Sequence, residues 1–205
     1  MNFIAIDLEL EQPKTNKQTP DSLVDEEKII QVGLVVFSLG QDEPIILDSQ
    51  TIHLRYEGKL SNFIKTLTGI DESDLVAEEA TNTMNVIYKI SELQQKYGTS
   101  RQIVEWGSGD CTALRDEAGF SVDNWVTKAG LARGSINVKN LYQIYALANG
   151  LKAQGGLSKS MGKLGLGFKN THYKGKNRGV HWAESDALNT AIMFNKIVNL
   201  MRKND

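Results

Sequence analysis

The 205-residue sequence holds one cysteine, three prolines and three histidines, and each scarcity narrows what the chain can be. Cys111 has no partner in the chain, which excludes an intrachain disulfide framework and any cysteine-rich zinc site. With no basic residue close by in sequence, it is expected to be a small buried hydrophobe rather than a nucleophile. Such usage fits a reducing, cytoplasmic compartment. No apolar run approaches the ~20 residues that a membrane-spanning helix needs. The chain opens on Phe3-Ile4-Ala5-Ile6 without a basic leader, so neither export nor membrane insertion is expected. Internal repeats and low-complexity segments are missing as well. What is left is 40% hydrophobic and 23% charged, the make-up of a soluble globular protein, with a length that fits one domain over residues 1–205.

Acid is missing from one region. Between Asp123 and Glu184 there is no carboxylate, while ten cations run from Lys128 to Arg178. The rest of the chain carries 13 basic against 25 acidic residues, so the net charge of −2 hides a segregation. A run of solvated lysines would look the same, but segregation of this kind also suits a polyanionic partner on the C-terminal half.

The apolar pattern predicts three strands first: residues 2–9, 29–39 (IIQVGLVVFSL) and 45–56. The polar stretch 11–27, with two prolines, reads as a long loop, and Asp42-Glu43-Pro44 punctuates the second connection. Short links between strands predict an antiparallel meander. Helical signals follow. Ser61 caps a segment through Leu67 that Gly69 ends, and residues 78–97 stop at Gly98. Residues 103–106 and 136–138 read as short strands, and 111–118, 139–149, 157–164 and 184–202 as helices. Gly155-Gly156 and residues 174–179 (KGKNRG) read as flexible joints. The sum is an α/β protein: a mixed sheet of about five strands, antiparallel meander first, flanked by helices.

Three places then carry candidate chemistry. Asp7 and Glu9 close the first strand two residues apart, and period two puts both on one face of a sheet. A lone Asp-x-Glu is most often surface charge, but the flanking Phe-Ile-Ala-Ile makes exposure on both faces improbable. Paired buried acids repel unless a hard divalent cation intervenes. Asp110 follows Trp106-Gly107-Ser108-Gly109 where a strand feeds a helix, a place that suits either a helix cap or a ligand-facing acid. Asp186 lies in the first turn of the last helix, with His181 just ahead of it on the glycine-rich basic loop. Near its ordinary pKa of ~6.5 an imidazole accepts a proton from water at neutral pH, although a single histidine before a helix is more often an exposed or capping residue.

In this order the motifs resemble the DEDD 3′–5′ exonucleases of the ribonuclease H-like superfamily, in their histidine-containing (DEDDh, DnaQ-like) subgroup. The carriers are Ile6-Asp7-Leu8-Glu9, then Trp106-Gly107-Ser108-Gly109-Asp110, then His181 with four residues between it and Asp186. Leu67-Thr68-Gly69-Ile70 is similar to the family's segment that packs against the terminal nucleotide. Leu157-Ser158-Lys159 with Leu164-Gly165-Leu166 is similar to the stretch before the third motif. Leu-Thr-Gly-Ile and Trp-Gly-x-x-Asp are closest in form to the exoribonuclease branch that trims RNA ends. The long loop 11–27 departs from the family, and the pattern assigns no role to Trp182 or Glu184.

The resemblance implies two Mg²⁺ or Mn²⁺ ions held by Asp7, Glu9, Asp110 and Asp186, with His181 as general base. It implies as partner the 3′ end of a single-stranded nucleic acid, met by Leu8 and by Leu67, Thr68, Gly69 and Ile70, with nucleoside 5′-monophosphates as products. It leaves RNA against DNA undecided and a homodimer open. A binding module on the same fold and a metal-dependent nucleotide phosphatase are the rival expectations.

Overall fold

The computed structural model describes residues 1–119 and 134–202. Five strands form one sheet: β1 (Asn2–Glu11), β2 (Lys28–Ser38), β3 (Ile45–His53), β4 (Thr99–Glu105) and β5 (Ile136–Asn137), in the order β3-β2-β1-β4-β5. The first three pair antiparallel, whereas β4 lies parallel to β1 and β5 parallel to β4. The expected α/β architecture is therefore present, with the meander leading. A shift of register between Glu9 and Leu10 bends the far end of β1.

Period two sorts the strands onto two layers. Ile4, Ile6 and Leu8 join Val32, Leu34 and Val36 in a core with α3 (Thr83–Tyr97) and α4 (Asp110–Glu117). Phe3 and Ala5 join Val35 and Phe37 on the other face, beneath α5 (Val138–Ala148), α6 (Leu157–Lys163) and α7 (Ala183–Arg202). There Phe3 stacks on Phe37 at 5.6 Å and both meet the edge of Phe194 at 5.2 and 6.1 Å, the offset and edge-on geometries aromatic rings favour. Asp7 and Glu9 continue the Phe3–Ala5 series and so face the side that α7 covers.

The caps foreseen in the sequence form. Ser61 accepts from the Ile64 N–H at the start of α1 (Asn62–Thr68), and Gly69 ends it in the left-handed region. Gly98 does the same for α3. Two elements differ from expectation. The helix expected over 78–97 begins at Thr83, after a separate short helix, α2 (Glu72–Leu75), which Asp71 and Asp74 close in a capping box. The stretch 174–179, expected as a flexible joint, belongs to a hairpin of β6 (Thr171–Tyr173) and β7 (Lys176–Arg178). Lys174 and Gly175 turn it with φ of 47° and 75°, the conformation two-residue hairpins require. Loop 12–27 folds on itself, with the Lys14 N–H on the Val24 carbonyl, and Asp21 accepts from the Asn62 N–H of α1. Among the described residues no helix is long and apolar enough to cross a membrane.

Candidate active site

The C-terminal ends of parallel strands β1 and β4 lie side by side, and the chain leaves each toward the same crevice. Asp7 and Glu9 reach it from β1, and Asp110 from the first turn of α4, where Gly109 rather than Asp110 is the capping residue. Asp186 arrives from the first turn of α7 and His181 from the loop before it. Asp7, Glu9, His181 and Asp186 line one cavity, and Asp110, which does not line it, lies close enough for its charge to act on Asp7 and Glu9.

The electrostatics record that crowding. Burial holds the Asp7 carboxyl well above the ordinary 3.8, and Asp110, Asp186, Glu9 and Glu105 push it further. Burial, then Asp186 and Asp110, raise Glu9 to about 8. Asp110 is raised to about 7 by burial, Glu105 and Asp186, against the opposing Leu8 N–H. Asp186 is raised to about 6 by burial, held back by the His181 N–H that donates to its Oδ2 at 2.8 Å. Among the described residues one ligand atom each of Glu9, His181 and Asp186 lies within 4.8 Å of the others. Burial lowers the His181 pKa below 6.5, which keeps the ring neutral and able to accept a proton near pH 7.

The start of α7 is fixed from behind. Gly33 pairs with Asp7 across β1–β2, and a Cβ on it would lie 2.1 Å from the Ala183 carbonyl carbon and oxygen. Only glycine lets the helix start come down onto the sheet beside Asp7. The Ala183 N–H donates to Gln31 Oε1, and Gln31 Nε2 donates to Nε2 of His53, which burial pushes down to about 4 and so keeps neutral. Ser49 and Thr51 of β3 donate to the two Glu184 oxygens at 2.5 Å, and Trp182 Nε1 donates to Thr51 Oγ1 at 3.2 Å. The two residues without a role in the motif are thereby placed: Glu184 and Trp182 lash the helix start to the sheet.

His181 itself has φ of 63°, a left-handed conformation that costs a β-carbon-bearing residue about 1–2 kcal/mol. Its surroundings hold it there. The Arg178 guanidinium lies 4.2 Å over the Trp182 ring, and its Nη1 donates to the Gly69 carbonyl at 3.2 Å. A Cβ on Gly69 would come within 2.8 Å of that nitrogen.

The residues expected to meet the terminal nucleotide lie around this centre. Leu67–Ile70 does not line the cavity of about 500 Å³ above the acids. Thr68 Oγ1 donates to the Ile64 carbonyl and accepts from the Ile70 N–H, and Ile70 packs with Trp182 in a small core of its own. The segment supports the His181 loop from below. Leu8 borders the cavity, yet its side chain is packed in the α3–α4 core. Trp106, Leu157 and Lys159 line the same cavity as Asp7, Glu9 and Asp186.

The basic stretch is also less free than its charge count implies. Lys169 pairs with Glu43 at 2.7 Å, Lys174 with Asp74 at 3.3 Å, and Lys163 donates to the Lys152 and Gln154 carbonyls. Lys128 and Arg133 lie outside the described residues.

Glu105 was missed by the motif pattern. It is 1% exposed, accepts from the Cys111 N–H at 3.0 Å and from the Ser135 hydroxyl, and adds its charge to those acting on Asp7 and Asp110. The argument that singled out Asp7, an acid ending an apolar strand, applies equally to Ile103-Val104-Glu105.

No family model matches the sequence, and no curated protein matches it. Solved structures do. The nuclease domain of 3′hExo, a DEDDh family member bound to rAMP, aligns with 99% of this chain and 92% of its own at a TM-score of 0.65 and 18% identity. Cell-death related nuclease 4 aligns over 97% of this chain and 64% of its own, with TM-score 0.70 and 15% identity. The Saccharomyces cerevisiae Pan2 exonuclease module, in complex with AAGGA RNA, aligns over 99% of this chain but 30% of its own, with TM-score 0.56 and 15% identity. The chain has the fold of the DEDDh 3′-exonuclease nuclease domains.

Proposed function

We propose that residues 1–205 form one exonuclease domain that removes nucleotides from the 3′ end of a single-stranded nucleic acid. The observation that carries this is the meeting of Asp7, Glu9, Asp110 and Asp186, from three separate stretches of sequence, beside His181 at the end of the sheet. Four acids held together against their own repulsion, with oxygen as almost the sole donor, fit hard divalent ions such as Mg²⁺ or Mn²⁺. The four carboxylates would hold two of them; when bound, such ions neutralise charge on the phosphoryl oxygens and make water a better nucleophile.

The chain's own groups do the rest. Neutral His181 accepts a proton from the attacking water, whose oxygen bonds to phosphorus as the bond from phosphorus to the neighbouring 3′ oxygen breaks, and that oxygen takes up a proton from solvent. The products are a nucleoside 5′-monophosphate and a strand shortened by one nucleotide with a free 3′-hydroxyl. The His181 N–H on Asp186 keeps base and carboxylate in one frame, and the Gln31, Thr51 and Ser49 contacts keep that frame on the sheet. The solved neighbours, one bound to rAMP and one to RNA, support a nucleic-acid substrate.

The test is a single strand labelled in its last nucleotide, offered as matched RNA and DNA with Mg²⁺ or with chelator. Immediate release of labelled mononucleotide that chelator stops is expected, and the faster of the two strands names the substrate. Release of free phosphate would make the chain a phosphatase. Binding without any product would make it a binding module.

A further inference from the structure

Resting on the exonuclease reading, we infer that Trp106 is the platform on which a substrate nucleobase stacks, with Leu157 and Lys159 completing the subsite. The cavity is lined by two kinds of group. Asp7, Glu9 and Asp186 bring carboxylates to it, and Trp106, Leu157 and Lys159 bring an indole, an aliphatic side chain and a cation. A strand lying across it would set a phosphate against the acids and their ions and an adjoining base against the indole. The volume, about 500 Å³, lies in the ~300–1,000 Å³ range of sites that enclose one small ligand. That admits a splayed base, the form in which single strands are usually recognised.

Trp106 is built for the task. It is half-buried, and behind it Tyr142, with no exposed surface, sits at a centroid distance of 6.2 Å, its hydroxyl donating to the Lys152 carbonyl. The ring is thus supported from the core while it lines the cavity, so little side-chain freedom is lost when a base arrives. Trp182, the other described tryptophan, is 1% exposed and engaged by Arg178, His53 and Tyr173. Lys159 is exposed at the cavity wall, and among the described residues no carboxylate pairs with it, unlike Lys169 and Lys174.

Stacking is worth about 1–3 kcal/mol per base, which sets the expected effect. Trp106→Ala should raise KM by about 5- to 150-fold with kcat within about twofold, and Trp106→Phe should recover most of the loss. An abasic residue at the last or the next-to-last position of the strand should erase the difference between the native and Trp106→Ala chains. An unchanged KM, or an equal loss on every abasic strand, overturns the inference.

A binding measurement keeps the two readings apart. In chain carrying Asp7→Asn, an intact single strand should quench tryptophan fluorescence, and adding Trp106→Phe should abolish that quench while the melting temperature stays near its parent's. Quenching that survives Trp106→Phe overturns the subsite even if hydrolysis is confirmed. If the native chain binds and quenches but releases no nucleotide, the exonuclease reading fails while the subsite stands.

Discussion

The carboxylates at the sheet end and the cations of the C-terminal stretch are both conspicuous as charge, and the fold treats them in opposite ways. Lys169, Lys174 and Lys163 are matched to a carboxylate or to carbonyls near the surface, where such contacts contribute little. Among the described residues, no cationic side chain is paired with Asp7, Glu9, Asp110 or Asp186. They are driven together, and among the described residues the strain is eased by single backbone N–H groups, from Leu8 on Asp110 and from His181 on Asp186. Stability alone would not select that arrangement, because like charges at close range in a poorly solvated site oppose folding. The lesson is that a charged cluster points to function through what the fold withholds from it, not through how many charges it has.

The sharpest way to break that contrast is to remove an acid. Asp7→Ala and Asp186→Ala should each reduce hydrolysis to background while circular dichroism stays native; robust cleavage by either would end the assignment. Next comes His181→Ala, expected to slow hydrolysis by ~10²–10⁴-fold, as loss of a general base does. With it should go the acid limb of the rate profile, which a ring held below 6.5 by burial sets. An unchanged rate would remove His181 from the mechanism.

Gly33→Ala should follow. A methyl group 2.1 Å from the Ala183 carbonyl must lift the start of α7, at about 1–3 kcal/mol, so activity and melting temperature should fall together. Native melting with native activity would show that the helix start can shift without cost. The smallest effects separate the lysines. Lys159→Ala should weaken strand binding and lower its salt slope by about one, whereas Lys169→Ala should change neither. Equal effects would return the basic stretch to a diffuse electrostatic track.

Much of this was legible in the sequence because it depends on short-range rules. Period two placed Asp7 with Glu9, Ser61 and Gly69 bracketed α1, and the apolar density of residues 29–39 marked a central strand. What escaped depends on pairings far apart in the chain. The strand pattern of residues 29–39 gives Gly33 no role; its role comes from Ala183, 150 positions later. Trp182 and Glu184 had no meaning without Thr51 and Arg178. Leu67–Ile70 matched a substrate-contact pattern, but its packing with Trp182 and its hydrogen bond to Arg178 could be read only from the fold, as could the place of Trp106 at the cavity. The hairpin at 171–178 was hidden because its turn, Lys174-Gly175, shares the composition of an unstructured joint.

The most direct test of the central claim is the melting temperature of metal-free chain as a function of pH, with and without Mg²⁺. Glu9, Asp110 and Asp186 are raised from 4.5, 3.8 and 3.8 to about 8, 7 and 6, so between roughly pH 4 and pH 8 the folded chain holds more protons than the unfolded one. Stability of the metal-free chain should therefore fall as pH rises through that window. Mg²⁺ should restore it most at pH 8, by about 2–4 °C for each kcal/mol of binding, and Asp7→Asn should blunt both trends. A melting temperature that rises from pH 5 to pH 8 without metal, and that Mg²⁺ leaves unmoved at pH 8, would contradict a single cation-holding cluster.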